Sequence, residues 1–150
     1  MRRFLFFVLV LGVVGIATQT LANAPQAQAA GETVGCVVTP TTNTNYLNNC
    51  RTTIPSTTYT AKFRVTHGAG TYSFNWSYIM YGAASGPAYT VNGCTSSSDV
   101  CWVRGPSDNC GDKTVVATVS IILNGRDEGV LNSSAHVFAT CTLGTMLTWC

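Results

Sequence analysis

Thr71-Tyr72-Ser73-Phe74-Asn75-Trp76-Ser77-Tyr78-Ile79-Met80-Tyr81 is the stretch whose reading decides the fold. Tyr72, Phe74, Trp76, Tyr78 and Met80 recur at every second position, with Ser73, Asn75 and Ser77 between them. Successive side chains of a strand point to opposite faces, so this spacing gathers four aromatics and a methionine on one side. A helix would scatter them around its circumference. The pattern predicts a central β-strand, with Phe74, Trp76 and Tyr78 in the core.

The segments on either side repeat the alternation. Tyr59 to Thr66 sets Ala61, Phe63 and Val65 against Lys62 and Arg64. The turn His67-Gly68-Ala69-Gly70 then leads straight into the Trp76 strand, which predicts an antiparallel pair. Thr114 to Leu123 places Val115, Ala117, Val119, Ile121 and Leu123 on one face, so Val119 and Ile121 join the expected core. Asn124-Gly125 ends that strand with a pair that accepts positive φ. A loop through Arg126–Gly129 is expected next, followed by a strand from Ser134 to Cys141 that pairs antiparallel with its predecessor. Val34–Val38, Ala88–Asn92 and Val100–Val103 read as shorter strands. With turn signals about every ten residues and no helical period, the chain is expected to be all-β, an antiparallel two-sheet sandwich.

The first residues belong to a different kind of sequence. Arg2 and Arg3 precede an unbroken apolar run from Phe4 to Ile16, and small residues lead to Ala27-Gln28-Ala29. This is the pattern of a secretory signal peptide over 1–29. The apolar run falls short of the ~20 residues that span a bilayer. The remainder, 30–150, reads as one globular domain, large enough to bury about two-thirds of its unfolded surface. It divides into a Thr- and Asn-rich leading segment with an edge strand (30–58) and a sandwich body (59–150), which includes a Cys-rich loop (94–112) and a tail (142–150).

All seven cysteines, Cys36, Cys50, Cys94, Cys101, Cys110, Cys141 and Cys150, follow the signal. Export and this density point to disulfides and a secreted or periplasmic location. Six cysteines allow 15 pairings, so sequence does not fix the connectivity. A Cys36–Cys50 bridge is one candidate for holding the leading segment, and Cys150 is open to Cys141, to a second chain or to a larger assembly. One cysteine of seven is left over, to be buried, capped or used for a disulfide-linked dimer. No C-x-x-C pair is present and the compartment oxidises thiols, so neither a metal nor another cofactor is expected.

The formal net charge is +2, and Arg2 and Arg3 supply all of it. Beyond the signal, six cations face six anions, and no cationic run appears along the sequence. Nucleic acid and membrane are therefore not expected partners. Another protein or a carbohydrate is.

Gly70-Thr71-Tyr72-Ser73-Phe74-Asn75-Trp76 resembles the third strand of immunoglobulin-like and PKD-like modules of secreted bacterial proteins. Thr118-Val119-Ser120-Ile121-Ile122-Leu123-Asn124-Gly125, with Ser134-Ala135-His136-Val137, looks like their final hairpin. The resemblance covers 59–141. It implies an immunoglobulin-like sandwich and a role in adhesion, spacing or ligand binding. The chain departs from the family pattern twice. Ser77-Tyr78-Ile79-Met80-Tyr81 stands where PKD-type modules carry Asp-Phe-Gly-Asp-Gly, and the strand before Trp76 has no cysteine, which implies that the usual inter-sheet bridge is missing.

Chemistry-bearing residues are sparse. No G-x-S-x-G occurs, and the only histidines are His67 in a turn and His136 on the outward face of a strand. No residue is assigned a catalytic role. Asp108 and Asp112 flank Cys110-Gly111 without the spacing of a calcium loop. Trp102, Trp149, Tyr81 and Tyr89 are candidate surface aromatics. The favoured reading, however, packs Trp102 under the disulfide loop and uses Trp149 to pin the tail, since small disulfide-rich lobes need apolar filling. Cysteine-fixed irregular chain beside a strand scaffold is where contact residues collect, so Trp102, Arg104, Asp108 and Asn109 of the 94–112 loop are the candidate binding residues. The expected role is a secreted, non-catalytic binding or structural protein. The alternatives are a protease inhibitor that presents this loop and a hydrolase that uses His67 or His136.

Overall fold

The strand with the longest alternation lies inside a sheet. β7 (Lys113–Leu123) buries Val115, Ala117, Val119 and Ile121 and leaves Thr114, Val116, Thr118 and Ser120 partly exposed on its other face. On one side it pairs antiparallel with β4 (Tyr72–Gly82), in register from Tyr72–Leu123 to Gly82–Lys113. On the other it pairs with β8 (Arg126–Val137) through a hairpin at Asn124-Gly125, whose φ values of 52° and 81° are the ones this turn requires. The register shifts between Ile121 and Ile122, a β-bulge. β2 (Asn49–Arg51) joins the far edge of β8 in parallel and completes a four-stranded sheet, β2-β8-β7-β4. The computed structural model describes residues 31–82, 90–106 and 111–150.

A second four-stranded sheet has the order β1 (Thr33–Thr39), β3 (Thr58–Thr66), β6 (Val100–Pro106), β5 (Thr90–Asn92), with every pair antiparallel. β9 (Thr140–Leu143) and β10 (Met146–Trp149) form a separate hairpin at the end of the chain. Among the described residues there is no helix.

The two larger sheets share one apolar interior. Val38, Ala61, Phe63 and Val103 from one sheet meet Val115, Ala117 and Ala135 from the other. A neighbouring cluster joins Val34 and Val65 to Phe74, Val119 and Ile121. Trp76 packs against both clusters, half-buried, and its indole N–H donates to the Ser98 carbonyl at 2.9 Å. Phe63 is completely buried, and removing such a ring from water stabilises the fold by roughly 1.5–3 kcal/mol.

Several expectations are corrected. β4 is an edge strand of its sheet, where the aromatic alternation suggests a central one. β3 and β4 do not pair: β3 is flanked by β1 and β6, and the 67–71 turn carries the chain across to the other sheet. Tyr78, expected in the core beside Phe74 and Trp76, is 42% exposed. It lies on the outermost strand, whose counterpart β5, at the end of the other sheet, is only three residues long. Among the described residues, cover therefore runs out along β4. Residues 126–129, expected as a loop, open β8, and the short strand expected at Val100–Val103 runs on to Pro106 as β6, taking in Arg104, expected in loop.

Three disulfides staple the fold, as is typical of chains from oxidising compartments, and Cys36, Cys50 and Cys101 are themselves buried in the core. Cys36–Cys50 joins β1 to β2 and so ties the edges of the two large sheets. Cys94–Cys101 closes the turn before β6, and Cys141–Cys150 closes the terminal hairpin. They account for six of the seven cysteines, and Cys110 lies outside the described residues. A polar strut supports the start of β3. The buried Tyr59 hydroxyl accepts from the Ser56 N–H and donates to the Ile54 carbonyl, both at 2.8 Å. Burial pushes the Tyr59 phenol upward from its ordinary value, against the opposing effect of the Ser56 bond.

Candidate functional site

Strand alternation gives each large sheet an outer face, and the outer face of β1-β3-β6-β5 is cationic and aromatic. With Ala61, Phe63 and Val65 turned inward, β3 presents Thr60, Lys62 and Arg64 outward. With Cys101 and Val103 buried, β6 presents Trp102 and Arg104. The register places Lys62 opposite Trp102 and Thr60 opposite Arg104, while Thr90 and Asn92 of β5 flank Arg104 and Trp102.

The side chains interlock. The Lys62 ammonium lies 4.8 Å from the Trp102 ring centre and 6.0 Å from that of Tyr46. The Arg64 guanidinium lies 5.7 Å from the Tyr46 ring. Such cation–π contacts contribute about 0.5–1 kcal/mol each at exposed sites and hold otherwise mobile chains in place. Tyr46 comes from the irregular segment before β2, where Leu47 exchanges two backbone hydrogen bonds with Cys36 at 2.6 and 3.0 Å. A Cβ on Gly35 would stand 2.9 Å from the Tyr46 Cβ, so the bare glycine lets Tyr46 lie this close to β1. Arg64 also pairs with Asp99 at 3.5 Å, an exposed bridge that contributes little to stability.

Beside this ladder runs a groove of about 380 Å³ lined by Thr60, Thr90, Val91, Asn92, Trp102 and Arg104. Hydroxyl, amide and guanidinium groups ring one indole. Trp102 is 41% exposed, so it does not fill the space beneath the disulfide loop.

Of the candidate residues named from sequence, Trp102 and Arg104 meet here, on a strand face and not on a loop. Asp108 and Asn109 lie outside the described residues, as does Tyr89. The Cys94–Cys101 turn folds back on β4, where the Phe74 N–H donates to the Ser96 carbonyl at 2.9 Å. Lys62, Arg64 and Tyr46 escaped the sequence reading. The two cations carried a signal, their outward place on an alternating strand, but Tyr46 carried none.

The histidines sit apart from this face. His67 lies against Tyr72, with ring centres 4.3 Å apart, and its Nδ1 is 3.0 Å from the Gly68 carbonyl. A hydrogen bond to the Glu32 carboxylate, 2.8 Å away, is the main reason the Tyr72 phenol is raised from its ordinary value. His136 is more connected. Its Nε2 lies 3.4 Å from Asp112 Oδ2, and its Nδ1 lies 3.1 Å from the Thr114 hydroxyl. Asp112 Oδ1 accepts the Ala139 N–H at 2.8 Å, and Phe138 bridges His136 to Trp149 edge-on. These contacts anchor the terminal hairpin to the body. Among the described residues, no group of three or more His, Cys, Asp or Glu side chains is placed to hold a metal ion.

Comparison with known proteins finds no match to a family model, a curated protein or a solved structure.

Proposed function

We propose that this chain is an exported, non-catalytic binding module of immunoglobulin-like type, with its contact surface on the outer face of β3 and β6. The carrying observation is the ordered array of Tyr46, Lys62, Arg64, Trp102 and Arg104. Tryptophan, tyrosine and arginine held in place on a rigid sheet are the residues on which binding energy concentrates. Strand order supports the fold type. β1-β3-β6-β5 facing β4-β7-β8 follows the ABED and CFG order of constant-type immunoglobulin domains, with Trp76 on the third strand of that scheme. The charged, hydrophobic leader and the three disulfides support export.

The test is an array of immobilised polysaccharides and extracellular proteins probed with the exported chain. Trp102→Ala is expected to weaken capture by roughly tenfold or more, as removal of a central anchor does. If Trp102→Ala and Arg104→Ala both leave every interaction intact, the contact surface lies elsewhere.

A second reading, an exported hydrolase, draws on the Thr114–His136–Asp112 chain of contacts. There His136 would be the base, Thr114 the nucleophile and Asp112 the orienting carboxylate. Hydrolysis of an ester or glycoside panel that disappears in His136→Ala would favour it, and an inert wild type removes it.

A further inference from the structure

The charge on the binding face selects its ligand. Beyond the leader the chain is balanced, yet its described charges are sorted in space. Lys62, Arg64 and Arg104 share the outer face of one sheet, and Asp99, paired with Arg64, is the acid bonded to them. The other described acids sit elsewhere. Glu32 is buried against Tyr72, Asp112 lies at His136, and Asp127 and Glu128 belong to β8. Among the described residues, overall neutrality therefore hides a local positive field, and such a field draws polyanions to it.

Resting on the binding-module reading, we infer that the occupant of this face is a linear acidic polysaccharide, uronate or sulfated. Three features favour a glycan over other polyanions. Each pyranose has an apolar face suited to the Trp102 ring and a rim of hydroxyls suited to Thr60, Thr90 and Asn92, which line the same groove. Carboxylate or sulfate groups meet Arg104 and Lys62, with Arg64 further along β3. Lys62 and Arg64 stand two residues apart on one strand, about 6.6 Å, so they meet successive charges of an extended chain. The three disulfides put the molecule with extracellular polymers and not with nucleic acid.

The experiment measures binding of the folded, disulfide-intact chain to five immobilised probes: polygalacturonate, dextran sulfate, neutral dextran, poly-glutamate and a single-stranded DNA oligonucleotide. Polygalacturonate or dextran sulfate is expected to bind at least tenfold more tightly than dextran. Three neutralised charges predict a fall of roughly twentyfold between 50 and 200 mM salt. The double variant Lys62→Gln/Arg104→Gln, with retained cooperative unfolding and an unchanged far-UV circular dichroism spectrum as its folding control, is expected to abolish that preference and flatten the salt dependence. Uronate and sulfate probes separate the two anion sources. Trp102-dependent binding of dextran that equals binding of the acidic glycans would overturn the inference while the binding face stands. Tighter binding to poly-glutamate or DNA would overturn the glycan assignment in favour of an acidic protein or nucleic acid. Binding that survives the double variant would also overturn it, because the charge would then act elsewhere. If none of the five probes is bound, the inference fails, and the array screen decides separately whether the binding-module reading fails with it.

Discussion

Tyr59→Phe isolates one strut of the fold. The ring is buried, and the substitution keeps it while deleting the hydroxyl that accepts from the Ser56 N–H and donates to the Ile54 carbonyl, each at 2.8 Å. A typical intramolecular hydrogen bond contributes about 0.5–1.5 kcal/mol net, so the loss of two costs about 2 kcal/mol. In a domain of this size about 4 °C of melting temperature follows each kcal/mol, which predicts a fall of about 8 °C. The assay is thermal unfolding by circular dichroism under oxidising conditions, wild type beside variant. The same pair tests a pH effect. The folded phenol is raised above its ordinary 10.0, mainly by burial, so above that pH the folded chain retains a proton the unfolded chain has released. This contribution is complete below about pH 10 and is lost as pH climbs through the folded value. Tyr59→Phe is therefore expected to shrink the alkaline loss of stability while lowering the neutral-pH melting temperature. A neutral-pH shift under about 2 °C would show that the strut contributes almost nothing and would refute the reasoning.

Two further outcomes follow from the same geometry. Replacing Cys141 and Cys150 with serine is expected to free the β9–β10 hairpin alone, since an isolated two-stranded hairpin is marginal in water. Hydrogen exchange would show lost protection at Met146–Trp149 with β7 and β8 unchanged, and collapse of the whole domain would contradict it. Gly35→Ala sets a methyl against the Tyr46 Cβ and backbone and should cost about 1–3 kcal/mol as Tyr46 leaves Lys62 and Arg64. An unchanged melting temperature, with Tyr46 still in place by crystallography, would count against that packing.

Individual strands were legible because alternation is a local signal. Val115, Ala117, Val119 and Ile121 alternate in sequence and are buried in the fold. Tyr78 alternates just as well and is exposed, because its burial depends on what faces β4 and not on β4 itself. The start of β8 was illegible for a related reason. Arg126-Asp127-Glu128-Gly129 has turn chemistry, and its pairing to the end of β7 makes it strand. Of the candidate site, Trp102 and Arg104 could be named from composition and context. Tyr46 could not, because it reaches the face only through the Leu47–Cys36 backbone pairing.

Sequence by itself determined that the chain is built of strands, where most of them run, and that cysteines staple it. Those properties rest on the two-residue period of a pleated backbone and on the chemistry of turns and thiols, all written within a few neighbouring residues. Only the tertiary structure decided which strands share a sheet, that the Trp76 strand forms an edge, and that Lys62, Arg64 and Arg104 converge on one surface. Those depend on hydrogen-bond register between segments some forty residues apart, which no local pattern encodes.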